Sequence, residues 1–394
     1  MIKYIGSKRR LVPVLTGLVT AALEASPAPT ERPRALDLFS GTARVAKALK
    51  EAGLEVTAVD LASYAHVLAR TYVETDGSAV DRAELAEAIE ALGRVPSRRG
   101  YVTEVFCERA RYFHPRNGVR IDAMREEIER RFAGSPLHPL LLTSLMEAAD
   151  RVDSTTGVQM AYLKSFAPRA LRPIALRPPE LVAGTGRAVR GDALVLAPTL
   201  GHFDVAYLDP PYNQHRYFAN YHVWETLVRW DAPEHYGVAC KRADCREGAN
   251  ASAFNRRREM PEALAKVIGA VDADLLVVSY NDESWVSPGE LVAMCEAALA
   301  SRHPEREGAV ALLGFDQARY VGARIGIHNP AGERVGTVSH LRNTELVVVA
   351  GPAEMVAGAV AAVGERASPI GQPEAAGVVD PSARAVRRRT PVNT

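Results

Sequence analysis

The tetrapeptide Asp209-Pro210-Pro211-Tyr212 follows a short apolar run and combines groups that can hold a planar amine. Proline fixes φ and has no N–H, so the carbonyls here lack a local donor that would compete for them. Proline also favours an extended conformation for the residue before it, which presents the Asp209 carboxylate beyond the strand end. The segment therefore offers two acceptors, Asp209 and the carbonyl of Pro210, beside the aromatic ring of Tyr212.

These groups suit one kind of chemistry. An amino group conjugated to a purine or pyrimidine ring is a poor nucleophile because its lone pair is delocalised. Two acceptors that hold its two hydrogens favour a pyramidal nitrogen, whose localised lone pair can attack an electrophilic methyl group in line. Stacking on an aromatic ring holds a flipped base in such a pocket. Alone, the tetrapeptide indicates methylation of a base amino group, and it also allows a proline-rich turn without function.

A second motif, Asp37-Leu38-Phe39-Ser40-Gly41-Thr42, contains a glycine turn after a predicted strand. Such a turn lets the backbone approach a ligand at the carboxyl end of a sheet. Asp60 ends the next predicted strand, where an acid can accept hydrogen bonds from both ribose hydroxyls of a nucleoside. Ala43 and Arg44 stand where a phosphate-binding fingerprint has its third glycine, so the pattern suits a ligand without a phosphate.

Regular elements must position both motifs. Residues 35–39 and 55–59 predict strands, and the apolar spacing over 45–52 predicts a helix between them. This is a β-α-β unit, which seeds a parallel sheet. Later apolar runs at 204–208 and 274–278 predict further buried strands. We therefore expect an α/β fold with a mostly parallel, Rossmann-like sheet.

The C-terminal part predicts antiparallel pairing. Residues 323–328 and 334–339 flank Asn329-Pro330-Ala331-Gly332, which has the residue types of a hairpin turn. Residues 345–349 predict another strand. The final segment, 366–394, is rich in Ala, Pro, Gly and Arg and is predicted to be a disordered basic tail.

Composition limits the classes of function. The chain has 394 residues, of which 47% are hydrophobic and 24% charged, with a net charge of +1, which is typical of a globular protein and excludes a polycation. The apolar stretch 346–364 is broken by Pro352 and Glu354 and is interpreted as a buried strand followed by a helix. With no signal-peptide pattern, we expect a cytoplasmic protein without membrane association. Four scattered cysteines lack metal-site spacing, so no metal is expected.

The motif order resembles that of the Dam-like (alpha-group) family of N6-adenine DNA methyltransferases. Lys3-Tyr4-Ile5-Gly6-Ser7-Lys8 resembles the aromatic-x-Gly-x-Lys segment that precedes the glycine loop in that family. The resemblance extends from Lys3 to about Val349, and Ala43 departs from it because the family commonly has glycine there. It implies a Rossmann-like methyltransferase sheet with a helical target-recognition insertion, and S-adenosylmethionine as the cofactor.

The resemblance also implies roles for individual residues. Tyr4 and Lys8 would hold the methionine portion of the cofactor, with the Lys8 ammonium near its carboxylate, and Asp60 would take the ribose. Asp192 would contact the adenine of the cofactor, although a solvated turn aspartate is an equal alternative. The implied cofactor-binding residues are Tyr4, Lys8, Asp37, Phe39, Ser40, Gly41, Thr42, Asp60, Asp192 and Asp209. The implied catalytic residues are Asp209, Pro210, Pro211 and Tyr212.

The implied organisation divides the chain into functional segments. Residues 1–75 are the cofactor-binding half, 76–185 a mainly helical target-recognition insertion, and 186–365 the catalytic half. Arginines spread over 94–131 form one basic stretch, and a second basic cluster spans 241–258. Charge alone favours a solvated basic face, whereas the position implied by the resemblance favours contacts to DNA phosphates.

The expected function is transfer of a methyl group to N6 of adenine within a specific sequence of double-stranded DNA, by base flipping and direct in-line transfer. A cognate restriction endonuclease is a further expected partner, and the chain is expected to be a monomer or a weak dimer. Two enzymatic alternatives stay open, methylation of N4 of cytosine in DNA and methylation of a base amino group in RNA. A non-catalytic, cofactor-binding DNA recognition protein is the alternative from another class.

Overall fold

Apolar runs along the chain form one eight-stranded sheet in the computed structural model. The structure describes residues 1–160, 162–163, 165–211, 216–248, 252–281, 284–302, 308–318, 342–364 and 368–369. The strands are β1 Arg34–Asp37, β2 Glu55–Asp60, β3 Arg187–Arg190, β4 Phe203–Leu208, β5 Ala273–Asn281, β6 Gly308–Ala318, β7 Arg342–Pro352 and β8 Ser368–Pro369.

The strand order across the sheet is β8-β6-β7-β5-β4-β1-β2-β3. Strands β1 to β5 run parallel to one another. Strand β7 is antiparallel to both β5 and β6. The predicted α/β fold, with a mostly parallel Rossmann-like sheet and antiparallel pairing near its C-terminal end, is confirmed.

Helices connect the strands and cover both faces of the sheet. They are α1 Val12–Glu24, α2 Arg44–Glu51, α3 Ser63–Ala69, α4 Arg82–Arg94, α5 Pro115–Phe132, α6 Leu137–Arg151, α7 Ala193–Leu196, α8 Tyr217–Asn220, α9 His222–Arg229, α10 Met260–Ala270, α11 Pro288–Arg302 and α12 Ala353–Val363. Two π-helical segments, Arg70–Glu74 and Val102–Arg109, lie between them. A short antiparallel ribbon joins His235–Tyr236 to Lys241–Arg242. Every helix in the described ranges is too short or too polar to cross a lipid bilayer.

Side chains of alternate strand positions divide the core between the two faces of the sheet. Val56 and Val205 belong to the first apolar cluster, and Ala206 and Leu276 to the second. Leu141, from the helical segment at 76–185, lies in the same cluster as Val56. This segment is helical as expected, and it packs onto one face of the sheet without a separate core.

Some elements differ from the sequence-based expectations. Strands β3 and β6 were not predicted, and β7 together with α12 confirms the strand and helix expected over 346–364. The expected hairpin at 323–339 lies outside the described residues. Ser368 and Pro369 pair with β6, which corrects the prediction of disorder at those two positions; the rest of the predicted tail at 370–394 lies outside the described residues.

Candidate active site

Four carboxylates lie at one edge of the sheet. Asp37 ends β1, Asp60 ends β2 and Asp209 follows β4, and the carboxyl ends of parallel strands meet at the same edge. Glu345 lies near the start of β7, which runs the opposite way and pairs there with Asn281 at the end of β5. The antiparallel strand therefore brings its beginning to the edge where the parallel strands end.

A cleft opens along this edge, with an empty volume of about 1160 Å³ counted out to its mouth. Its walls come from the N-terminal segment, the glycine loop and the loop after β4. The predicted site residues that line it are Tyr4, Lys8, Asp37, Phe39, Ser40, Gly41, Thr42, Asp60, Asp192, Asp209 and Pro211. Pro210 is buried and is not in the cleft wall, and Tyr212 lies outside the described residues.

The glycine loop closes tightly against its surroundings. Gly41 has a φ of +50°, and a Cβ there would lie 3.1 Å from Cε1 of Tyr4. The N–H groups of Gly41 and Ala62 donate to the two oxygens of Asp60 at 2.8 and 2.9 Å. Ala43 adopts a left-handed conformation with a φ of +57° immediately before α2. Its methyl group costs roughly 1–2 kcal/mol there, which explains why glycine suits this position.

The N-terminal segment is held by an aromatic stack. The Tyr4 ring stacks on Tyr221 with centroids 4.6 Å apart and on Tyr217 at 5.2 Å. The N–H of Ile5 donates to the Tyr221 hydroxyl at 2.6 Å. Tyr217 and Tyr221 follow the loop that carries Asp209, so this stack joins the two ends of the site.

Lys8 bridges two carboxylates. Its Nζ lies 2.8 Å from Oδ1 of Asp209 and 2.7 Å from Oε1 of Glu345, and its side chain is only 4% exposed. Ser279 donates to the same oxygen of Glu345 at 3.2 Å. The sequence analysis did not predict Glu345 as a site residue. The available signal was an acidic residue at the start of an otherwise apolar predicted strand. The Lys8 ammonium was expected near the carboxylate of the cofactor. In the structure it pairs with the carboxylates of Asp209 and Glu345.

Asp209 is a partly buried acceptor with one carboxylate oxygen open. Burial and the nearby charge of Glu345 raise the pKa of Asp209, and Lys8 opposes both effects. Lys8 contacts Oδ1, and no hydrogen bond from the described residues reaches Oδ2. That oxygen is available to accept a hydrogen from a bound group.

Two buried polar atoms in the glycine loop are unsatisfied. Oδ2 of Asp37 accepts from the N–H of Ala46 at 3.1 Å, whereas Oδ1 of Asp37 and Oγ of Ser40 have no hydrogen-bond partner in the described part of the chain. Burial, and then the charge of Asp209, raise the pKa of Asp37 to about 8. Buried polar atoms without partners are rare, and here they line a cleft that can admit a ligand.

Asp37→Asn is expected to stabilise the ligand-free protein at pH 8.5 and much less at pH 5. The folded state keeps a proton on Asp37 that the unfolded state loses, so stability falls as pH rises from about 4 to about 8. Each unit of the raised pKa corresponds to about 1.4 kcal/mol, so a gain of at least that size is expected at pH 8.5. Urea unfolding at both pH values measures it.

Asp37→Ala is the matched control for this experiment. It removes the acceptor of the Ala46 N–H, which the asparagine keeps, so it is expected to gain less stability than Asp37→Asn at pH 8.5. An Asp37→Asn protein with the same pH dependence of unfolding as the wild type would show that this carboxyl is not protonated in the folded state.

The far end of the cleft is aromatic. Phe39 and Phe254 meet edge to face with centroids 5.0 Å apart, and Phe254 was missed from the sequence. Asp192 lines the cleft and also caps α7 by accepting from the N–H of Leu194 at 2.8 Å, and its contact with the adenine of a cofactor stays a prediction. Tyr280, near the end of β5, is buried outside the cleft wall, and its hydroxyl lies 3.5 Å from Sδ of Met260.

The basic stretch over 94–131 makes mostly internal contacts. Arginines that pair with glutamates are Arg94, Arg98, Arg99, Arg125, Arg130 and Arg131. Arg120 donates to the carbonyl of Gly93 at 2.8 Å, and the buried Arg125 donates to that of Leu227 at 2.6 Å. These arginines therefore hold helix ends and faces together.

The second basic cluster is divided. Arg242 is buried and forms a two-pronged ion pair with Asp231 at 2.6 and 2.7 Å. Arg257 and Arg258 are exposed. Only part of this cluster is thus positioned to meet a partner from solution.

Comparison with known proteins identifies the family. A model of the D12 class N6 adenine-specific DNA methyltransferase family matches residues 4–294. The Type II methyltransferase M.NlaIII of Neisseria lactamica is 31% identical over 265 residues, which are 65% of this chain and 77% of that protein. The Type II methyltransferase M.CviAII of Paramecium bursaria Chlorella virus 1 is 30% identical over 302 residues, 72% of this chain and 88% of that protein.

The matched segment runs from the stacked Tyr4 through the glycine loop and Asp209 to α11, and so includes most of the cleft wall. The resemblance stated from the motifs is confirmed. The chain belongs to the D12 class of N6 adenine-specific DNA methyltransferases, and it is a site-specific, adenine-specific DNA methyltransferase.

Proposed function

We propose that this enzyme binds S-adenosylmethionine against the glycine loop and acts on the amino group of an adenine flipped out of duplex DNA. The observation that carries this proposal is that the glycine loop and Asp209 line the same cleft. A methyl donor held by the first would lie beside an amino group held by the second. Proximity of this kind contributes a large part of the rate enhancement in group transfer.

The residues of the cleft fit the cofactor. The unsatisfied oxygen of Asp37 can accept a hydrogen bond from an ammonium group, and a positive charge there would restore the ionised form of this carboxyl. Asp60 and Asp192 offer acceptors for a nucleoside, and Phe39 offers an aromatic surface. When bound, S-adenosylmethionine supplies an electrophilic methyl group on a sulfonium.

The catalytic residues would act by hydrogen bonding and charge. Oδ2 of Asp209 would accept one hydrogen of the amino group. The backbone carbonyl of Pro210, whose chain neighbours Asp209 and Pro211 both line the cleft, would accept the other, which localises the nitrogen lone pair. The carboxylate of Asp209 also stabilises the positive charge that develops on the nitrogen. Lys8 holds Oδ1 of Asp209 at 2.8 Å and so keeps the other oxygen directed away from itself. Pro211 lines the cleft, and the role proposed for Tyr212 is to stack on the base.

DNA binding is assigned to the surface around the cleft. We assign residues 76–185 as the target-recognition insertion, by their helical structure and their position between the two halves of the core. The exposed Arg216, Arg257 and Arg258 would contact phosphates near the cleft mouth. A cognate restriction endonuclease, a cytoplasmic location and a monomeric or weakly dimeric state complete the proposal.

A labelled methyl group tests the proposal. Purified protein, labelled S-adenosylmethionine and duplex DNA are expected to give labelled N6-methyladenine after digestion to nucleosides. The same digestion separates N4-methylcytosine, and a parallel reaction with structured RNA tests the RNA alternative. Label recovered only in cytosine or only in RNA would overturn the proposal.

A further inference from the structure

A second cleft lies between α2, α6 and the segment that precedes β3. Its empty volume is about 930 Å³ counted out to its mouth. Five basic side chains line it, namely Arg9, Arg44, Lys47, Arg151 and Arg177, against the two carboxylates of Glu147 and Glu180. The net charge of the whole chain is only +1, so this is a local concentration of positive charge.

Most of this charge is uncompensated. Lys47 pairs with Glu51 at 2.8 Å, whereas Arg9, Arg44, Arg151 and Arg177 form no ion pair with any described residue. Glu147 accepts the hydroxyl of Tyr72. Glu180 is 94% exposed and only reaches Lys47, at 4.0 Å. The two acids are therefore poorly placed to neutralise the four arginines.

Arg44 lies between the two clefts and lines both of them. Its Nε is buried and has no hydrogen-bond partner among the described residues. Burial, and then the charge of Arg9, lower the pKa of Arg44. Burial, and then the charge of Arg177, lower the pKa of Arg151. Confining like charges in this way is unfavourable unless an anion joins them.

We propose that this second cleft binds a phosphate group. A guanidinium presents a planar fork of N–H donors that matches phosphate oxygens, and one phosphate can accept from several guanidinium groups at once. The glycine loop lacks the third glycine of a phosphate-binding fingerprint, so the first cleft does not duplicate this role. The phosphate could belong to the DNA backbone or to a free phosphate, and both offer the same chemistry.

Arg177→Gln is the primary variant, because the Arg177 guanidinium makes no hydrogen bond with the described residues and its removal should leave the fold intact. Arg151→Gln is the second variant, although Arg151 also donates to the carbonyl of Ala175 at 2.9 Å. Lys266→Gln is the control for loss of one positive charge, since Lys266 is exposed on α10, pairs with Glu262 and lies outside both clefts.

Two measurements separate the sources of the phosphate. In the first, thermal unfolding is compared in inorganic phosphate and in chloride at equal ionic strength. In the second, affinity for duplex DNA is measured over a range of salt concentrations. Neither measurement involves methyl transfer, so failure here is distinguishable from failure of the proposed chemistry.

A free-phosphate site predicts that phosphate raises the melting temperature of the wild type and of Lys266→Gln, and raises that of Arg177→Gln clearly less. A DNA-backbone site predicts that Arg177→Gln weakens DNA binding by at least about fivefold and lowers the salt slope by about 1 relative to Lys266→Gln. Either result supports the proposal. It is overturned if Arg177→Gln and Arg151→Gln match Lys266→Gln in both measurements.

Discussion

Asp209→Asn is expected to reduce the rate of methyl transfer by at least about a hundredfold while cofactor binding changes only a few-fold. The substitution keeps the shape of the side chain and removes the negative charge that would stabilise the reacting nitrogen. The amide can also turn a donor toward the amino group, which already carries two donors. Single-turnover transfer of a labelled methyl group to duplex DNA, with a separate cofactor titration, measures the two effects.

Asp272→Asn is the control for this variant. It makes the same chemical change at an exposed carboxylate that pairs with His202 and directly precedes β5, at the opposite ends of the strands from the cleft. Its activity should stay within about twofold of the wild type, as for most surface substitutions. If Asp209→Asn transferred methyl groups as fast as Asp272→Asn, the role assigned to Asp209 would be wrong.

Lys8→Gln is expected to move the acid limb of the pH–rate profile to higher pH and to destabilise the fold. Lys8 lowers the pKa of Asp209, so its loss raises that pKa further and leaves less carboxylate at neutral pH. Removing one partner of a buried ion pair also costs about 3–5 kcal/mol, because Asp209 and Glu345 then face each other without a cation. Rates measured between pH 5 and 9, with urea unfolding, test both effects.

Glu345→Gln is the matched variant, and it is expected to move the acid limb in the direction opposite to Lys8→Gln. Glu345 raises the pKa of Asp209, so its neutralisation lowers that pKa and moves the acid limb to lower pH. The ammonium of Lys8 then has Asp209 as its charged partner. If both variants moved the acid limb in the same direction, the shift would not come from the charges of this triad.

The sequence predicted the centre of the sheet better than its edges. Strands β1, β2, β4 and β5 are buried and give clear apolar runs. Strand β3 has four residues with an arginine at each end, and none of them is fully buried, so it has no apolar run to recognise. Strand β6 lies near the other edge of the sheet, where the first residues are only partly buried and the pattern is weak.

The site residues that follow the ends of parallel strands were predictable from the sequence. Asp37, Asp60 and Asp209 each follow a recognisable parallel strand, so their meeting at one edge follows from the fold class. Glu345 could not be predicted as a site residue from the sequence. Its position depends on the antiparallel pairing of β7 with β5, which joins distant parts of the chain. Its partner Lys8 was known only through the family resemblance.

The basic stretch shows the limit of counting charges. Glu127 and Arg130 are spaced for an ion pair on one face of a helix, as are Glu90 and Arg94. That spacing was the available signal that these arginines satisfy neighbouring acids. The burial of Arg125 against the end of α9 depends on tertiary packing and had no local signal.

Asp209 is assigned to direct methyl transfer to adenine N6 in a specific DNA sequence. The most direct measurement is sequencing, with detection of base modification, of genomic DNA from a methylation-free host that expresses the chain or its Asp209→Asn variant. The expected result is N6-methyladenine within one sequence motif for the wild type and none for the variant. Modified cytosine in place of adenine, no modified motif, or an unchanged motif in the Asp209→Asn host would contradict the claim.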